Sequence, residues 1–151
     1  MQYQINTLKK SRTFTLKLIE NLSIEQLNKI PNGFKNNIAW NIAHLVVTQQ
    51  LLCYKLSGLE CLVSEEMILN FQKGSSPSYT VTKEEFEIIK KLFVQLPDEF
   101  LSDYSKGKFK NFNAYTTSVQ VILNNVEEAV FFNAYHEGIH LGVVLQLLKF
   151  V

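Results

Sequence analysis

Only three prolines and six glycines interrupt 151 residues, and the stretches between them repeat apolar side chains at helical spacing. A chain so rarely broken folds into a few long helices, so the expected class is all-α. The breaks mark out the segments. Pro31-Asn32-Gly33 separates a first helix, over about residues 3 to 22, from a second that Asn36 or Asn37 can cap. The first helix carries Phe14, Leu18 and Leu22 on one stripe, and Ser23 caps a short turn after it. The second reaches about Ser57, where Gly58 stops it, and aligns Trp40, His44, Val47, Leu51 and Tyr54 on its apolar, inward face.

Residues 64 to 72 suit a short helix, and Lys73 to Ser78 a loop. Thr82 with Glu85 forms a capping box that opens a third long helix, with Phe86, Ile89, Phe93 and Leu96 inward. Pro97 is expected to end or kink it. Residues 103 to 117 carry four aromatics and three lysines without a clean period. They read as a surface connection folded against the helices or as a wall over a pocket. A brief helical run at 118 to 124 leads to the last helix, capped by Asn125 with Glu128 at the third position. Ala129, Phe132, His136, His140, Val143 and Leu147 share a face there. Gly138 and Gly142 each cost about 1 kcal/mol relative to Ala inside a helix, which implies close approach by another helix or a ligand.

With 46% hydrophobic and 19% charged residues, the chain has globular composition and the length of one domain, residues 1–151. The net charge is +1, and Arg12 is the sole arginine. Without guanidinium forks to grip phosphate and guanine edges, no dedicated nucleic-acid surface is expected. Met1 to Asn6 lacks the apolar core of a leader, and no apolar run approaches the roughly 18 residues of a membrane span. The expected location is cytoplasmic. Cys53 and Cys61 form no CxxC pair and read as reduced thiols.

The chain has three histidines, and two of them, His136 and His140, stand four apart in the last helix. Residues i and i+4 share a helix face, separated by roughly 6 Å of rise, so both imidazoles can reach one ion. The stretch matches H-E-x-x-H, in which Glu137 would be a protease's general base. Proteases of that type take a third ligand downstream, but none of the eleven residues after His140 is His, Asp, Glu or Cys. The remaining histidine, His44, points inward from the second helix. Three imidazoles with a fourth position open is the donor set of a catalytic zinc site, and imidazole also suits nickel, iron and copper. The bland alternative is three core histidines bonded to one another. Glu137, about 100° round the helix from His136, is expected in solvent. Asn41 and Asn133 each precede a histidine by three residues, which suits a hydrogen bond fixing a tautomer. Thr48, Cys53 and Tyr54 are candidates to line the site.

At Asn37-Ile-Ala-Trp40-Asn-Ile-Ala-His44 and His136-Glu-Gly-Ile-His140-Leu-Gly142, the sequence resembles the DinB/YfiT-like superfamily, and the resemblance extends over the whole chain in helix order and length. It implies an up-down four-helix bundle with short extra helices in the connections. It also implies that His44, His136 and His140 bind a divalent metal, usually zinc or nickel. Some members look like transferases or isomerases that use a low-molecular-weight thiol (bacillithiol, mycothiol or glutathione), and others like hydrolases. Many relatives carry Arg directly after the last histidine, where this chain has Leu141. Homodimers are common among them, and the apolar end Leu147 to Val151 suits such a contact. The expected function is therefore a metal-dependent transferase or hydrolase acting on a small molecule. The alternative is a non-catalytic protein that binds a metal or small ligand.

Overall fold

The computed structural model describes residues 1–151, and the class is all-α. Its helices are α1 (Gln2–Leu18), α2 (Ile24–Asn28), α3 (Ile38–Gln49), α4 (Glu65–Phe71), α5 (Lys83–Ser105) and α6 (Val126–Leu147). A π-helical turn, Gln50–Tyr54, and a 3-10 turn, Lys55–Ser57, prolong α3 until Gly58 adopts φ 72° and stops it. Another 3-10 turn, Leu148–Phe150, closes the chain. The four long helices pack in a ring, α1 against α5, α5 against α3, α3 against α6, and α6 against α1. No helix is long and apolar enough to cross a membrane.

Local chemistry sets the starts of these helices. Asn37, Ser64, Thr82 and Asn125 each accept the third backbone N–H of their helix, satisfying a donor that the helix itself leaves free. Ser23 with Gln26, and Thr82 with Glu85, complete reciprocal capping boxes. The central element is α3, with eleven of its twelve residues buried, as expected of a helix apolar all round. The main core joins its Ile38, Ile42 and Val46 to Phe86, Ile89 and Phe93 of α5 and to Val144 and Leu147 of α6.

Four expectations need correction. The buried stripe of α1 is Ile5, Leu8, Arg12 and Thr15, continued by Ile19, while Phe14 is half exposed. The stripe turns because Arg12 is drawn inward. Pro97 does not end α5, which continues for eight more residues to Ser105. Proline lacks the N–H that would bond the Phe93 carbonyl one turn back, and Arg12 Nη1 donates to that carbonyl instead, at 2.8 Å. Residues 118 to 124 are not helical. Tyr115–Thr116 (β1) and Ile122–Leu123 (β2) pair antiparallel in a hairpin, consistent with the β-branched run Thr116, Thr117, Val119, Val121 and Ile122. Finally, Gly138 and Gly142 are exposed, and a Cβ at either would meet nothing within 4 Å in this chain.

The long connection after α5 folds against the helices. Phe109 and Phe112 pack on a second cluster that includes Ile5, Tyr54, Phe100 and Val130. Leu123 of the hairpin is buried against Leu52 and Ala129.

Arg12 is 1% exposed and Glu137 3%. Arg12 Nη2 donates to Glu137 Oε1 at 2.6 Å, and Nε donates to both carboxylate oxygens at 3.1 Å. Asn133 Nδ2 adds a bond to Oε1 at 3.0 Å, and the guanidinium lies 4.5 Å from the Phe93 ring centroid. Removing one member strands the other charge in the core. Arg12→Met should therefore cost about 3–5 kcal/mol in urea unfolding, and Arg12→Met with Glu137→Leu should recover most of that loss.

Candidate metal centre

His44 on α3 meets His136 and His140 on α6. The ring centroids lie 5.2 Å apart for His44 and His136, 4.7 Å for His44 and His140, and 4.5 Å for His136 and His140. One nitrogen from each ring falls within 4.8 Å of those of the other two. Around one zinc ion, with bonds of about 2.0–2.1 Å, such nitrogens stand roughly 3.4 Å apart. Small side-chain rotations would close that difference.

Two of the rings are held in one tautomer. His44 Nδ1–H donates to the Phe71 carbonyl at 2.6 Å. Phe71 is the last residue of α4, where helical carbonyls have no partner in their own helix. His140 Nδ1–H donates to Asn41 Oδ1 at 2.7 Å. The Asn41 amide cannot be turned round, because its Nδ2 donates to the Asn37 carbonyl at 2.7 Å and to Asn36 Oδ1 at 3.0 Å. Nε2 of both rings is therefore the free, lone-pair nitrogen. Thr48 Oγ1 donates to His44 Nε2 at 3.3 Å. Nδ1 of His136 is buried without a partner.

Burial also keeps the rings neutral. Desolvation, and then the neighbouring imidazoles, push His140 down to about 3 and His136 to about 4. Desolvation lowers His44 as well, against a smaller opposing effect from its bond to Phe71. A neutral imidazole is the form that ligates a metal. Two oriented rings, a third with an unsatisfied nitrogen, and no competing proton make a set that fits a divalent ion.

Trp40 stacks on His44 with ring centroids 4.6 Å apart and planes 10° from parallel. Its indole N–H donates to Ser75 Oγ at 3.2 Å, which ties the loop after α4 to the site.

Asn41 does fix an imidazole, but that of His140 across the interface, not that of His44 one turn along. Asn133 serves Glu137 and not His136. Glu137 is buried on the α1 side, so it is neither in solvent nor beside the histidines as a base. Of the three candidate lining residues, only Thr48 reaches the site. Tyr54 donates to Asp103 at 3.1 Å, and Cys53 is buried near Arg12 and Glu137. The sequence reading missed the Phe71 carbonyl and Asn36. A backbone acceptor leaves no mark in a sequence.

In the comparison with known families, the model of the DinB superfamily matches residues 7–144. The chain belongs to the DinB superfamily. No curated protein matches it. In this DinB-superfamily chain, the three-histidine cluster can hold a divalent metal ion.

Two outcomes follow. In the metal-free protein, the unfolded histidines titrate near 6.5 and the folded ones lower, so between those values the unfolded chain binds more protons. The histidines' contribution to stability is complete above about pH 6.5 and is lost as pH falls toward 4 and 3. Urea midpoints measured from pH 7.5 to 4.5 should fall less steeply in a His136→Gln, His140→Gln variant. Separately, Asn41→Ala should weaken metal binding about 10–100-fold in calorimetric titration.

Proposed function

We propose that this DinB-superfamily protein is a metal-dependent enzyme in which His44, His136 and His140 hold one zinc or nickel ion. The observation that carries the reading is the pair of imidazoles whose Nδ1–H groups are committed to fixed oxygens, Phe71 O and Asn41 Oδ1. That arrangement makes Nε2 the lone-pair nitrogen of each ring, and Nδ1 of His136 is buried without a partner. Three protein ligands leave a coordination position for a small molecule. A bound ion would supply Lewis-acid activation of water or of a low-molecular-weight thiol for attack on an electrophilic substrate.

The protein's own groups do the rest. Asn41 and the α4 terminus aim the rings, and Trp40 shields one face of His44. The Thr48 hydroxyl donates to His44 Nε2 and would be released as a hydrogen-bonding group if that nitrogen held an ion. Glu137 is committed to Arg12, so the carboxylate base of H-E-x-x-H hydrolysis is not at the centre. That favours thiol transfer, with the thiol itself as nucleophile, over peptide hydrolysis. The free Cys53 and Cys61 accord with a reducing, cytoplasmic setting.

The test is metal content by mass spectrometry on tag-free protein. About one equivalent of zinc or nickel is expected by the three-ligand argument, with loss in His44→Ala and His140→Ala. Trp40, the only tryptophan, stacks on a ligand ring, so nickel titration should quench its fluorescence in the wild type and not in the variants. Protein that neither carries nor takes up metal would overturn the reading. Metal retention without capture by immobilised thiols, and without turnover on ester, amide or thiol-acceptor panels, would reduce it to a binding protein.

A further inference from the structure

Between the hairpin and the first turns of α6 lies a groove of about 820 Å³, within the size range of small-molecule sites. Val121 and Ile122 line it from the hairpin, and Phe131, Phe132 and Tyr135 from the helix. Large apolar side chains are left in water here, with Phe131 at 74% exposure, Ile122 at 57% and Tyr135 at 52%. Contiguous exposed apolar surface of this kind marks a binding site. No lysine, arginine or histidine lines the groove, and its only charged groups are Glu127 and Glu128.

The place of the groove on α6 indicates its occupant. Phe132 stands one turn before His136 and only about 40° from it round the helix, and Tyr135 is the direct neighbour of His136. The groove and the histidine cluster therefore adjoin along one helix. From Glu127 to Tyr135 the groove follows α6 for about 12 Å, a length that suits a small molecule and is short for a partner helix. The strands β1 and β2 pair over two residues each, too short an edge to add a strand from another chain. We propose that the groove holds an uncharged aliphatic or aromatic arm of the substrate, whose reacting end meets the ion at His44, His136 and His140; the substrate role rests on the metal-dependent reading above, and the groove itself does not.

The lining selects among substrates. A carboxylate or phosphate on that arm would give up water against apolar walls and face two acids. Both acids are fixed: Glu127 Oε1 accepts from the Tyr104 hydroxyl at 2.6 Å, and Glu128 Oε2 from the Asn124 backbone N–H at 2.7 Å. A polar low-molecular-weight thiol gains little from such walls. The groove accordingly suits the electrophilic reactant and not the thiol.

Methyl NMR on the metal-free full chain, titrated with octanol, tests the groove by itself. Shifts are expected at the methyls of Val119, Val121 and Ile122, with octanoate binding about tenfold more weakly. Ile122→Asp should abolish the shifts with melting temperature retained. Leu69→Asp, at a 66% exposed position on α4, should keep them. Calorimetry on the zinc-loaded chain tests the reach to the ion. Octanohydroxamate and acetohydroxamate share a metal-binding head, and the longer chain should tighten binding about tenfold. Ile122→Asp should remove that advantage and leave acetohydroxamate affinity unchanged. Octanol shifts absent from the hairpin, octanoate bound as well as octanol, or a chain advantage that survives Ile122→Asp would each overturn the proposal. Octanol shifts in a protein that takes up no zinc would overturn the metal reading and the substrate role with it, whereas zinc uptake without the shifts would overturn the groove alone.

Discussion

The interaction on which this structure turns is the ion pair between Arg12 and Glu137, partners 125 residues apart and both almost fully buried. Desolvating two charges costs several kcal/mol per ion, offset only when geometry and additional hydrogen bonds are good. Both conditions hold. The guanidinium makes four hydrogen bonds, one to the carbonyl that Pro97 leaves free, and the carboxylate takes a further one from Asn133. The pair joins α1, α5 and α6 at one point. A slip of any of these helices by one residue would leave a charge without a partner, so the pair acts more as a register than as a source of net stability.

That register has a consequence at the histidines. Glu137 follows His136 directly, about 100° further round the helix. Holding its carboxylate toward α1 turns His136 and His140 toward α3, where His44 meets them. The same five letters, H-E-x-x-H, thus serve a different arrangement from that of a zinc protease. The two histidines face a third imidazole in a cluster that can hold a metal ion, and the glutamate is an anchor and not a base.

The histidine cluster also shows how much of its geometry is set by groups other than the three imidazoles. The Phe71 carbonyl at the end of α4, Asn41 held in turn by Asn36 and Asn37, and the stacked Trp40 set the orientation of two rings. Orientation in advance lowers the entropy cost of binding.

What the sequence determined by itself was local or periodic. Caps at Asn37, Thr82 and Asn125, the stop at Gly58, and the inward positions of Trp40, His44 and Phe93 all follow from interactions within a few residues or from the 3.6-residue repeat. The three histidines were legible because they are the only ones and because two sit at i and i+4. Only the tertiary structure decided the matters that depend on distant partners. It showed that the single arginine belongs in the core, that Glu137 is buried with it, and that α5 runs through Pro97 because Arg12 satisfies the freed carbonyl. It also showed that Asn41 serves the histidine across the interface and not its own neighbour. A pattern of polar and apolar letters assigns a charged residue to the surface by default, since the free energy of burying it depends on a partner that the local sequence does not contain.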